Sequence, residues 1–324
     1  MKRLVSGVQP TGQLHLGNYL GAIKQWLDFT DDYDCYFFIA DLHALNERPE
    51  PQKLRENTYQ TLAMLLALGL DPKKTVLFAQ SQVPAHSELS WILGNFVGLG
   101  ALDRMTQFKE KSARTGQNAG LYNYPILMSA DVLLYQAESV PVGDDQLQHL
   151  ELTREIARSF NQRYSTTFIE PKPLISSSSR VMALNDPAKK MSKSVPGSAV
   201  GLLDDEETIT RLIKRSVTDS DPNAAHPSPA IANLLTLLSG LATPETVQRF
   251  EKLREDGRLR YSELKEQLIE DTVAFLRPVQ KTFQQLIEDQ DNLTRIFTRG
   301  AEAARAEAAK TIEQVKKNVG LIAL

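Results

Sequence analysis

The sequence has almost no cysteine: a single residue, Cys35, in 324. No internal disulfide is possible, which points to a reducing compartment. Cys35 lies in YDCYFFIAD, an apolar run where it reads as a small core filler. Histidine is sparse too, with five scattered residues, and with one cysteine they compose no zinc constellation. No run approaches the roughly 18 apolar residues of a membrane span. The amino-terminal MKRLVSGVQPTG breaks at Gly7, Pro10 and Gly12, too early for a secretory signal core. A basic excess is also missing: 37 Lys and Arg face 40 Asp and Glu, for a formal net charge of −3. Any nucleic-acid binding must then use a local patch. Two nucleotide fingerprints are absent, since there is no G-x-x-x-x-G-K-[ST] loop and no G-x-G-x-x-G after the first apolar run. What remains is a cytoplasmic globular protein of ordinary composition, 42% hydrophobic and 24% charged.

What is present is an alternation. Residues 4–8, 35–40, 76–79 and 139–142 are short apolar runs predicted as strands. Helical patterns follow them at 17–29, 52–68, 86–97, 123–135 and 144–160. Uniformly apolar strands alternating with helices predict an α/β fold with a Rossmann-like, doubly wound parallel sheet. From Asp204 onward strand signals vanish. Helical patterns run to the end, with breaks expected at Pro222, Pro227, Pro229, Pro244, Gly257 and Pro278. The expected division is therefore a Rossmann-like domain over 1–184 and a mostly helical C-terminal domain over 185–324.

Two stretches carry chemistry. KKMSKS, residues 189–194, places three lysines and two serines in six residues. All five are hydrogen-bond donors, and a loop carrying them could close over a polyphosphate. A solvated surface loop is the plainer reading. PTGQLHLGN, residues 10–18, follows the first strand and opens the first helix. A helix N-terminus there offers N–H groups and a favourable dipole to an anion. Gly17 lets a nucleotide approach the backbone, and His15 and Asn18 add polar side chains. Together the stretches suit a departing phosphate, whose developing charge preorganised cations stabilise.

The H-x-G-N and K-M-S-K-S stretches resemble the two signatures of class I aminoacyl-tRNA synthetases. With SGVQPTGQLHLGNYLGA, DLHAL, RMTQFKEK, MSADVLLY and VPVGDDQ, the chain is similar to bacterial-type tryptophanyl-tRNA synthetases along its whole length. The resemblance implies two steps: tryptophan and ATP, with Mg2+, form an adenylate and pyrophosphate, and the tryptophanyl group then passes to tRNA(Trp). It implies ATP contacts from Gln9, Pro10, Thr11, Gly17, Asn18, Gly143, Asp144, Asp145, Val181, Met182, Lys190, Met191, Ser192, Lys193 and Ser194. His15, Asn18, Lys111, Lys190 and Lys193 would act in catalysis. Tryptophan would meet Val5, Gly7, His43, Tyr124, Met128, Asp131, Val140, Val142 and Gln146. Asp131 is the expected indole partner, since the indole N–H only donates and an acid in so apolar a helix needs a partner. An ion pair with a nearby lysine or arginine is the alternative there. The resemblance also implies a homodimer, no resident metal, and a helical part that holds the tRNA. Arg211, Lys214 and Arg215 are candidates for that, as are residues 295–324 with six basic and three acidic residues. Two positions depart from the family pattern: Val5 stands where a pocket phenylalanine is expected, and Val195 where aspartate often follows KMSKS. A tyrosine-specific enzyme, a small-molecule nucleotidyltransferase, an inactive paralogue and a plain scaffold remain as other readings.

Overall fold

The computed structural model describes residues 1–10, 12–105, 118–143, 146–175, 181–219 and 228–322. Five strands form one sheet: β1 (Lys2–Val8), β2 (Tyr33–Ile39), β3 (Thr75–Ala79), β4 (Ser139–Val142) and β5 (Lys172–Ile175). Their order is β3-β2-β1-β4-β5, and every pairing is parallel. In β2 five consecutive residues, Cys35 to Ile39, are buried, so both faces of the strand are covered. A parallel sheet needs such burial, and β-branched and aromatic residues supply it. β5 is a strand the hydrophobic pattern does not announce. It is four residues long and contains Pro173, and it survives as an edge strand pairing only with β4.

The chain crosses from β1 to β2 on one side and later returns to β4 on the other. The carboxyl ends of β1 and β4 are therefore the switch point where such sheets bind ligands. Gln9 and Pro10 follow β1 there, and Gly143 follows β4.

The chain groups into two compact units. One comprises 1–12, 27–176 and 289–324, and the other 13–26 and 177–288. This differs from a single cut after Leu184. The helix Gln290–Val319 packs on β3, in the unit that holds the sheet. The reason lies in its small residues. A Cβ on Gly300 would stand 1.8 Å from the Leu77 carbonyl oxygen, so glycine alone allows the approach. Ala301, Ala304 and Ala308 continue the buried stripe at helical spacing.

In the second unit, the helices Glu206–Lys214 and Pro229–Leu241 pack on Tyr261–Glu288. Pro229 and Pro244 start helices rather than interrupt them. Each stands at a first helical turn, where no N–H is needed, behind a Ser228 or Thr243 cap. Pro278 does not break its helix either and lies inside Tyr261–Glu288. Pro222 and Pro227 lie outside the described residues. Among the described residues, no helix is long and apolar enough to cross a membrane.

Candidate active-site residues

The H-x-G-N and K-M-S-K-S residues belong to the same unit. His15 bridges Gly201, Leu16 N donates to Val200 O at 3.0 Å, and Leu202 N donates to Leu14 O at 2.9 Å. The first motif is thereby laced to the chain that follows the second. The expected helix 17–29 is present in three pieces. Leu16–Asn18 and Lys24–Phe29 are α-helical, and Tyr19–Ile23 between them is a π turn. Asn18 Oδ1 accepts the His15 N–H at 3.0 Å and closes the helix start. Gly17 has a second reason to lack a side chain: a Cβ there would lie 2.9 Å from His15 Nδ1 and 3.2 Å from Met191 Cβ.

Met191 is the buried anchor of the lysine-rich segment. Its N–H donates to Val181 O at 3.1 Å, and Ala183 N donates to Lys189 O at 2.8 Å. Ser192 N donates to Ser198 Oγ at 3.1 Å, and the Ser192 and Ser194 hydroxyls are 3.0 Å apart. Lys190 and Lys193 are exposed, and Lys193 Nζ donates to Gln13 Oε1 at 2.5 Å. Burial pushes the His15 imidazole down, and the Lys193 and Lys190 ammoniums push it further, to about 4. His15 is therefore neutral at physiological pH. The Met182 peptide is held on both sides by Asn233, which donates to its carbonyl at 2.9 Å and accepts its N–H at 2.8 Å.

The sheet unit holds the other candidates. Asp131 is buried in the helix Ala119–Leu133, and among the described residues its partners are His43, His86 and Gln80 rather than the lysine or arginine of the alternative reading. Gln80 Nε2 donates to Oδ1 at 2.7 Å, His86 Nδ1 lies 2.6 Å from the same oxygen, and His43 Nε2 lies 2.8 Å from Oδ2. Burial works to raise the Asp131 carboxyl. The hydrogen bonds from His43 and His86 outweigh it and hold the group at about 2, so Asp131 is ionised. An ionised carboxylate only accepts, so both facing imidazole nitrogens carry protons.

The neighbouring rings extend this network. Tyr124 meets the His43 ring edge-on at 4.7 Å and the His149 ring at 5.3 Å. His149 Nδ1 lies 3.2 Å from Gln146 Oε1, and Gln146 N donates to Gly143 O at 2.9 Å. A chain of contacts thus runs from Asp131 to the end of β4. Val5, Val140 and Val142 are buried in the same apolar cluster. Gly7 is paired with Phe38 across β1 and β2, and a Cβ there would meet that ring at 2.6 Å. Met128 is half-buried on the Asp131 helix. Thr11, Lys111, Asp144 and Asp145 lie outside the described residues.

Sequence reasoning missed Gln80, His86, Gln13 and Asn233. Gln80 and His86 are 51 and 45 residues from Asp131, and no local period ties them to it. Asn233 did leave a signal, as a lone amide in the apolar helix PAIANLLTLLSGL. Among the described residues, no cluster of three His, Cys, Asp or Glu side chains is arranged to hold a metal. Of the six basic residues at 295–324, four are engaged within their own unit: Arg295 with Asn292, Arg305 with Gln82 O, Lys310 with Glu307 and Lys316 with Glu88. Arg211, Lys214 and Arg215 are exposed.

The family model for class I tRNA synthetases (W and Y) matches residues 1–277. A tryptophan–tRNA ligase of Caldanaerobacter subterraneus subsp. tengcongensis is 46% identical, over 99% of both chains. That of Clostridium tetani is 44% identical, over 99% of this chain and 96% of its own. The tryptophanyl-tRNA synthetase structure from Mycoplasma pneumoniae superposes with a TM-score of 0.90 at 35% identity, covering 99% of this chain and 98% of that one. The Campylobacter jejuni enzyme, solved with ADP and tryptophan, gives 0.86 at 33%, covering 98% and 100%. The chain thus belongs to the class I aminoacyl-tRNA synthetases, among the tryptophanyl enzymes of bacterial type.

Proposed function

We propose that the chain carries out tryptophan–tRNA ligation. Residues of the sheet unit would select tryptophan, and lysines of the other unit would bind the phosphates of ATP. The tryptophan carboxylate attacks the α-phosphorus of ATP, the bond to the β-phosphate oxygen breaks, and pyrophosphate leaves. A terminal-adenosine hydroxyl of tRNA(Trp) then attacks the mixed anhydride and releases AMP. The substrate supplies the nucleophile, so positioning and electrostatics are what the protein contributes.

The observation that carries this reading is Asp131. Its carboxylate has about four acceptor positions, and three are filled by His43, His86 and Gln80. The remaining one, on Oδ2, is suited to the indole N–H. His43 and Tyr124 would line the pocket beside it, with Met128, Val5, Gly7, Val140 and Val142 as walls. Gln146 would meet the ammonium group of tryptophan. Lys190 and Lys193 would bind the triphosphate, with Lys111 as a further cation, and His15 and Asn18 would bind as neutral groups. Gln9, Pro10, Thr11, Gly143, Asp144, Asp145, Val181 and Met182 would complete the nucleotide contacts. Magnesium would enter with ATP.

The exposed Arg211, Lys214 and Arg215 would meet tRNA phosphates. The enzyme would act in the cytoplasm as a homodimer. Trp91 supports the dimer: it is 81% exposed, beside a cleft of about 830 Å³ lined by Ile92, Phe96 and Tyr164. ATP–pyrophosphate exchange with tryptophan, with tyrosine and with neither tests the reading. Exchange that depends on tryptophan alone is expected. Exchange driven by tyrosine would keep the class and overturn the substrate.

A further inference from the structure

Behind Asp131 lies a second layer of polar groups whose hydrogen bonding is complete. Tyr135 is fully buried, stacked on Tyr36 at 5.1 Å and edge-on to Phe78 at 5.7 Å. Its hydroxyl lies 2.8 Å from His86 Nε2, and the opposite nitrogen of His86 faces Asp131 Oδ1. Burial pushes the Tyr135 phenol up, so it keeps its proton. A cationic His86 would donate from both nitrogens and leave the buried Tyr135 proton without an acceptor. The satisfied arrangement is therefore Tyr135 O–H to Nε2 and Nδ1–H to Asp131, with His86 neutral.

His43 meets the other oxygen. Its Nε2 donates to Oδ2, and its Nδ1 is buried with no partner among the described residues. Nε2 is thus the nitrogen through which His43 holds the carboxylate. Asp131 is a buried anion held by donors from His43, His86 and Gln80, and among the described residues no lysine or arginine is paired with it.

The distribution over its two oxygens is uneven. Oδ1 takes Gln80 and His86, which fills both of its lone pairs. Oδ2 takes His43 alone. From this asymmetry we propose that Gln80, His86 and Tyr135 are positioning residues for amino-acid selection, fixing the Asp131 carboxylate so that one acceptor position on Oδ2 is reserved for an aromatic N–H donor. The inference rests on the tryptophan reading above. None of the three need touch the substrate. Gln80 and His86 remove the rotational choice of the carboxylate, and Tyr135 fixes the tautomer of His86. A substrate ring lacking the N–H leaves a buried acceptor unmet, and that penalty is large only while the carboxylate cannot turn away.

The test compares tryptophan with an analogue whose indole N–H is replaced by sulfur, in ATP–pyrophosphate exchange. Wild-type enzyme, Gln80→Met, His86→Leu, His86→Asn and Tyr135→Phe are assayed side by side. Gln80→Met and His86→Leu are expected to lower kcat/KM for tryptophan about 10- to 100-fold, chiefly through KM. The sulfur analogue should change less than about 3-fold, so discrimination shrinks. His86→Asn keeps an N–H near the Nδ1 position and should restore most of the loss. Tyr135→Phe should fall between. Should His86→Leu fail to fold, the other three variants carry the same comparison. Equal losses for both substrates, or no rescue by asparagine, would overturn the positioning role. A wild-type enzyme that does not exchange with tryptophan would sink the underlying reading instead, which keeps the two failures apart.

Discussion

Lys193 Nζ donates a hydrogen bond to Gln13 Oε1 at 2.5 Å, tying the second lysine of KMSKS to the turn just before His15. That partner is a neutral amide. A triphosphate is a far stronger acceptor than an amide and should displace it. Lys193→Ala is therefore expected to slow adenylate formation about 100- to 1000-fold in kcat. The KM for tryptophan should stay within about 3-fold, because the lost contact forms on the phosphates as charge develops. Rapid-quench measurement of adenylate formation separates the two. A parallel loss of tryptophan binding would count against the clamp.

His15 gives a prediction in pH. Burial, then Lys193 and Lys190, lower its imidazole from the ordinary 6.5 to about 4. The sign follows from the direction of the shift: the fold favours the neutral ring, and the advantage is present above pH 6.5 and lost as pH falls toward 4. By NMR the His15 ring should titrate near pH 4 in wild type. Lys193→Met should move that midpoint upward, though not to 6.5, because burial is the larger cause. A wild-type midpoint near 6.5 would contradict the account.

The strands β1 to β4 were legible as short, largely apolar runs set between helical patterns. β5 was not, since Lys-Pro-Leu-Ile holds too few apolar residues to stand out from a loop. Pro229 and Pro244 look like breaks in a linear reading, and only the cap that precedes each shows them as helix starts. At the candidate site, the lysines and the H-x-G-N residues were visible as local motifs. Asp131 was visible as an acid among apolar residues. His86 and Gln80 were not, because a buried hydrogen-bond network joins residues that only the tertiary fold brings together. The placement of the helix Gln290–Val319 rests on Gly300, and a lone glycine in a helical pattern has no direction written into it.

Gly300→Ala tests that last contact. The new Cβ would stand 1.8 Å from the carbonyl oxygen of Leu77 in β3, and a strand backbone paired with β2 cannot yield as a side-chain tip can. The expected cost is about 3 kcal/mol or more, against the small gain alanine brings in an open helix. Gly98→Ala is the control. Its Cβ meets nothing within 4 Å, and it should change stability by less than about 0.5 kcal/mol. Urea unfolding of both variants decides it, and equal midpoints would show that the helix does not sit on β3 this closely.

Asp131 couples selection to acid stability. Its carboxyl is held at about 2 against an ordinary 3.8. Since the folded value is the lower one, the stabilisation is complete above pH 3.8 and disappears as pH falls through 2. The contribution is on the order of 2 kcal/mol. Asp131→Asn removes the titration and turns an N–H2 toward donors from Gln80, His86 or His43. At neutral pH the variant should be less stable by about 1–3 kcal/mol, because a buried donor then faces another donor. Between pH 4 and pH 2, however, wild type should lose stability faster than the variant. The other carboxylates are common to both proteins, so they cancel in the difference. Parallel curves through that window would mean that Asp131 does not hold its charge against the two histidines. An Asp131 without charge could not be the acceptor that the indole N–H requires.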